Sequence, residues 1–229
     1  MVPVRYGFHG LSYSHVAAKL RDRYRARAGG RTIIAHLGSG ASLCAMSAGR
    51  SVATTMGFST QDGLVMSTRC GAPDPGVILH LLQARRLSAD ELVTLLYEQS
   101  GLLGVSGISG DMRTLIASED SGAAEAVDLF VYRIGREIGS LAAIMGGLDT
   151  LVFTAGIGEN APLVRERICV AAAWLGVGLE RNREGAEVVS NATSRVDVLV
   201  IPADEERAVA AEMLVFRSAA FTTAREGSR

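Results

Sequence analysis

Only three cysteines, at positions 44, 70 and 169, occur in the 229 residues. They are too few and too widely spaced for a disulfide framework or a zinc site, and they fit a reduced compartment. Cys70 follows Arg69, a neighbour that can lower a thiol pKa, although a passive thiol is the simpler reading. No stretch of 18 apolar residues occurs, and the N-terminus lacks the apolar centre of a signal peptide. The sequence therefore predicts no membrane span and a cytoplasmic protein. An excess of one charge is missing too. A net charge of −1 provides no global field toward DNA, RNA or an anionic membrane. The basic run over residues 19–27 is local and reads as the solvated face of a helix.

What is present is the composition of a globular protein, 48% hydrophobic and 21% charged. A chain of this length can bury roughly 70% of its unfolded surface. Patterning predicts a helix from His15 onward and a strand over 32–37. A hairpin follows over 41–46 and 51–55, around Ser47-Ala48-Gly49-Arg50. Residues 56–75 carry little periodicity and read as an active-site excursion. Helices are predicted over 76–84 and 89–99, the second opened by a Ser88/Glu91 capping box. A short helical turn over 111–117 precedes a long amphipathic helix over 123–145. Leu129, Ile134, Ile138, Leu141 and Ile144 supply its apolar stripe, and Gly146-Gly147 stops it. A strand over 148–153 leads to a helix with Pro162 in its first turn and Asn160 as its cap. A last strand over 196–201 precedes a helix over 205–217 and a tail. Hairpin strands followed by alternating helices and strands give an α/β layered domain.

Four polar or glycine-containing junctions stand where strands or loops meet the next element: 36–40, 107–113, 156–160 and 203–206. Glycines let backbone N–H groups approach a ligand, and a helix N-terminus adds partial positive charge. Ligands of open α/β sheets collect at such strand ends, so the four together predict a nucleotide cleft.

Seven ordered motifs carry a specific resemblance. They are Phe8-His9-Gly10, His36-Leu37-Gly38-Ser39-Gly40, Met56-Gly57-Phe58, the segment 63–71 with Arg69, the segment 104–113 with Asp111-Met112-Arg113, the segment 153–160 ending Gly156-Ile157-Gly158-Glu159-Asn160, and the segment 201–206 with Glu205. Over residues 4–215 the chain resembles the C-terminal portion of the acetate kinase family. That resemblance implies an actin-like ATPase fold, that of the acetate and sugar kinase, Hsp70 and actin superfamily with its ribonuclease H-like core. It implies that residues 1–203 form the second, nucleotide-binding domain. Residues 204–229 would form a C-terminal helix that packs on a first domain, plus a tail. That first domain, which supplies a catalytic aspartate and a further arginine in the family, has no counterpart in this sequence. The final helix would then leave Val209, Met213 and Val215 uncovered, a patch that favours association.

The implied reaction is Mg²⁺-dependent phosphoryl transfer between ATP and acetate, giving ADP and acetyl phosphate. Such transfer needs charge stabilisation and in-line positioning more than covalent chemistry. By resemblance, Arg69 steadies the transition state and His9 donates to the transferring phosphoryl group. His36, Leu37, Gly38, Ser39 and Gly40 form the phosphate-side nucleotide loop. Asp111, Met112 and Arg113 hold the adenosine part, and Gly156, Ile157, Gly158, Glu159 and Asn160 lie beneath the nucleotide. Glu205 positions Mg²⁺. Asp62 and Asp74 flank Arg69 and either orient it or cap turns; His15 and His80 read as structural. Ser39 stands where the family usually has Asn, and Ser67 where it usually has Gly. A homodimer is implied, with a separate N-terminal half as a possible partner. Propionate or butyrate kinase, and a truncated, inactive nucleotide-binding fragment, are the alternatives.

Overall fold

A computed structural model describes residues 6–24, 29–180, 182–183 and 185–204. Helix α1 (Gly10–Arg23) comes first, followed by strands β1 (Arg31–Leu37), β2 (Ala41–Ser47) and β3 (Arg50–Thr54). Helices α2 (Pro75–Gln83), α3 (Ala89–Glu98), α4 (Gly101–Ser106), α5 (Met112–Ala117) and α6 (Ser121–Met145) follow. Strand β4 (Thr150–Thr154), helices α7 (Ala155–Asn160) and α8 (Pro162–Ala171), a 3₁₀ turn (Ala173–Leu175) and β5 (Asp197–Val200) complete the described order.

The strands form one mixed sheet in the order β3-β2-β1-β4-β5. β1, β2 and β3 pair antiparallel, whereas β4 pairs parallel with both β1 and β5. The hairpin turn places Ala48 and Gly49 both at positive φ, 49° and 74°, as a two-residue connection that matches strand twist requires.

Strand side chains alternate between faces, and the alternation divides the core. Ile33, Ala35 and Leu37 pack on one face with Leu151 and Phe153, beneath Phe130, Ile134, Ile138 and Leu141 of α6. Ile34, Cys44, Val152 and Leu199 pack on the other, beneath Tyr13, Val16, Ala17 and Leu20 of α1. The sheet is thus covered on both sides, and its strand ends stay open.

The predicted elements are present with shifted ends. The Ser88/Glu91 capping box forms, and Gly146 ends α6 in the left-handed region. Ile144 departs from the predicted stripe: it is 61% exposed, at the edge of the buried face, while the adjacent Met145 packs against the core. Asn160 does not cap α8. It is the last residue of α7, its side-chain amide donates to the Gly156 carbonyl at 3.0 Å, and Ala161 precedes α8 without a side-chain cap. Residues 156–160 are therefore helical. The predicted helix over 205–217, with Val209, Met213, Val215 and Glu205, lies outside the described residues.

Candidate functional site

β1 and β4 run parallel and end side by side, with His36 opposite Thr154. The chain leaves β1 through Gly38 and Ser39 and leaves β4 through Ala155. Ala155 sits at φ 66°, left-handed for a residue with a Cβ, and this turns the strand sharply into α7. A cavity of about 460 Å³ opens over these strand ends. Gly38, Ser39, Ser67, Gly110, Asp111, Met112, Arg113, Gly156, Ile157, Asn160 and Ala161 line it. Four motifs from distant parts of the sequence meet there.

Other predicted site residues stand behind this lining. Leu37 is fully buried in the core. Gly158 is buried where α7 packs on β1 and β4, and a Cβ there would make only ordinary contacts, 3.5 Å from the Phe153 backbone and 3.6 Å from the Ala35 carbonyl. The Glu159 carboxylate accepts from the Ala203 N–H at 2.8 Å and so ties the segment after β5 to α7. Gly38 donates its N–H to the Gly40 carbonyl at 3.0 Å, so that group closes the turn. Asp111 caps α5 by accepting from the Arg113 N–H at 3.0 Å and pairs with its guanidinium at 3.0 Å. The hydrogen bonds from Arg113 hold the Asp111 carboxyl below the usual carboxylate range. Met112 turns its side chain into the core.

Next to the cavity, His9, His36, Gly40 and Arg69 come together. A Cβ built on Gly40 would lie 2.8 Å from Arg69 Nη2 and 3.3 Å from His9 Nε2. The two side chains therefore converge on one point above the Gly38–Gly40 turn. Arg69 Nη1 donates to the Thr60 carbonyl at 2.6 Å, and partial burial lowers the guanidinium pKa from its ordinary value. The His9 and His36 rings stack with centroids 4.0 Å apart. His36 Nδ1 lies 2.9 Å from Ser12 Oγ, and burial lowers its pKa to about 4.

Arg69 belongs to the irregular segment 56–74, which is held by backbone hydrogen bonds. The Ser67 N–H donates to the Ser39 carbonyl at 3.1 Å, which joins the segment to the turn after β1. The N–H groups of Leu102 and Leu103 donate to Met66 and Ser67, each at 2.9 Å. Gly101 makes this approach feasible: it sits at φ 65°, and a Cβ there would fall 2.2 Å from the Met66 carbonyl. Cys70 accepts from Gln61 at 2.8 Å, and burial pushes its thiol pKa up, opposite to an Arg-activated thiol. Asp74 caps α2 at the Gly76 N–H, 2.7 Å away, and Asp62 accepts from the Gly63 N–H at 2.9 Å. His15 is buried on α1, and His80 is exposed on α2.

Sequence reasoning missed Gly101, Arg165, Tyr13 and Ser42. Arg165 is fully buried in α8, where it donates to the carbonyls of Gly158 and Glu159, at 2.9 and 2.7 Å, and so fixes the end of α7. Its signal is a charge beside Val164 and Ile168 in an apolar stripe. Among the described residues no group of three His, Cys, Asp or Glu could hold a metal ion, and no helix is long and apolar enough to cross a membrane.

The sequence profile of the acetokinase family matches residues 3–211. The chain belongs to the acetokinase family. Acetate kinase from Rhodopseudomonas palustris (strain TIE-1) is 57% identical over 211 residues, covering 90% of this chain and 53% of that protein. The crystal structure of Porphyromonas gingivalis acetate kinase superposes with TM-score 0.87 at 37% identity, over 92% of this chain and 55% of that one. A propionate kinase from Francisella tularensis gives TM-score 0.84 at 35% identity, over 90% and 54%. This acetokinase chain thus has the α/β, actin-like fold of the acetate and propionate kinases. It spans about half the length of the curated relatives it matches.

Proposed function

We propose that this acetokinase chain is the nucleotide-binding part of an acetate kinase, transferring a phosphoryl group reversibly from ATP to acetate. The convergence of Arg69 Nη2 and His9 Nε2 above Gly40, at the rim of the cavity, carries the reading. Asp111 and Arg113 would line the adenosine end, and Gly38, Ser39 and Gly156 would approach the phosphates. Arg69, a planar cation with donors on one edge, would stabilise the equatorial oxygens of the transferring group. His9 would donate a further hydrogen bond to the same oxygens.

Mg²⁺ supplies charge neutralisation between the phosphates when bound. By the family resemblance, Glu205 would be the carboxylate ligand, while Glu159 is engaged with Ala203. A hard cation that keeps several waters and takes its other ligands from phosphate suits one carboxylate. Acetate, or propionate as in the Francisella tularensis relative, would be the acceptor, since one methylene discriminates by only about 1–3 kcal/mol. The exposed apolar side chains Val77, Leu79 and Leu82 on α2 support assembly as a homodimer.

The test is ATP binding by calorimetry, together with acetyl phosphate formation captured as the hydroxamate, using the purified chain with ATP, Mg²⁺ and acetate. ATP binding that is lost in Arg113→Ala supports the site. No ATP binding overturns it. Hydroxamate formation would show that the chain catalyses the transfer by itself.

A further inference from the structure

His9 opens α1 at φ 60° and holds its ring against the start of β2. Its Nδ1 lies 2.8 Å from Ser42 Oγ, and Ser42 Oγ is also hydrogen-bonded to the Tyr13 hydroxyl. Ser42 is fully buried and Tyr13 is 5% exposed. A buried phenol has to place its proton on an acceptor, and Ser42 is the partner of the Tyr13 hydroxyl among the described residues. Burial raises the phenol pKa well above its ordinary value, so the proton stays on it. Tyr13 therefore donates to Ser42. Ser42 then has one proton of its own and the His9 ring as its other neighbour, so it donates to Nδ1. A neutral imidazole that accepts at Nδ1 carries its hydrogen on Nε2. The opposite direction, from Nδ1–H to Ser42 to Tyr13, strands the phenol proton in the core.

We propose that Tyr13 and Ser42 are positioning residues that lock His9 in its Nε2–H tautomer, so that the nitrogen facing Gly40 and Arg69 is a hydrogen-bond donor. The chain Tyr13→Ser42→His9 converts a buried phenol on α1 into a fixed donor at the site. That the donor serves a phosphoryl group rests on the proposed function; the tautomer itself does not.

Long-range proton–nitrogen correlation on ligand-free chain labelled with ¹⁵N-histidine reads the tautomer directly. The sequence has four histidines, and His9→Gln assigns the relevant signals by their loss. The expected wild-type spectrum shows His9 Nε2 in the protonated, pyrrole-type range and Nδ1 in the pyridine-type range. In Tyr13→Phe, and in Ser42→Ala, the two shifts should move toward each other as the tautomers mix. Nδ1–H in the wild type, or spectra of both variants identical to the wild type, overturn the proposal. Adding ATP to the same sample separates the two readings. A locked tautomer with no ATP binding sinks the nucleotide site alone, and ATP binding with Nδ1–H sinks the lock alone.

Discussion

The imidazole rings of His9 and His36 lie face to face, centroids 4.0 Å apart and planes within 15°. Stacking of this kind suits neutral rings, since two cations at that separation would repel. Each ring also leans on a hydroxyl, Ser42 for His9 and Ser12 for His36. The pair joins the N-terminus of α1 to the end of β1, next to the cavity over the strand ends.

A pH dependence of stability follows from His36. Burial lowers its folded-state pKa from 6.5 to about 4, so the unfolded chain binds the proton more tightly. The resulting stability is present above pH 6.5 and is lost as pH falls toward about 4. Its full size is on the order of 3 kcal/mol. Urea unfolding across this range should show stability rising with pH, and His36→Asn should flatten the slope. Equal slopes would move the effect to another group.

Gly40→Ala should impair transfer without unfolding the protein. The new methyl would meet Arg69 Nη2 at 2.8 Å, the far end of a flexible side chain that can shift away. Removing one transition-state donor costs about 10²–10³ in turnover, and Arg69→Ala should lose a similar factor. Acetyl phosphate formation measures both, with the melting temperature as control. A Gly40→Ala enzyme of wild-type rate would exclude the convergence point from the chemistry.

Gly101→Ala should instead act on the backbone. Its φ is 65°, and a Cβ added there would collide with the Met66 carbonyl and lie 2.9 Å from the Arg69 backbone, which leaves no room for a side chain. A loss of about 2–4 kcal/mol is expected from strain plus displacement of the segment. Chemical denaturation gives the number. Stability within about 0.5 kcal/mol of wild type, the range of ordinary surface changes, would contradict the tight approach.

Arg165→Met should destabilise the chain by about 3–5 kcal/mol, because the carbonyls of Gly158 and Glu159 lose a buried charged donor. ATP affinity should fall as well, since these carbonyls belong to the helix that carries Gly156 and Ile157. Unchanged affinity in a destabilised variant would confine Arg165 to the core.

Sequence and tertiary structure divided the information in this protein along physical lines. Local signals determined the elements that rest on local physics. Short apolar runs marked β1 and β4, Ser88 and Glu91 marked the start of α3, and Gly146 marked the end of α6. The ordered motifs also identified the family and pointed to the strand-end junctions. Periodicity is carried by neighbours in the chain, so it is legible without the fold. Contacts across the chain are not. That Asn160 closes α7 instead of capping α8, that Gly101 exists to admit Met66, and that Arg165 is wholly buried all depend on partners that only packing supplies. The meeting of Tyr13, Ser42 and His9 has the same origin. The two hydroxyls carry no signal in sequence, and only the laying of α1 across the sheet places them within hydrogen-bond distance of each other and of His9.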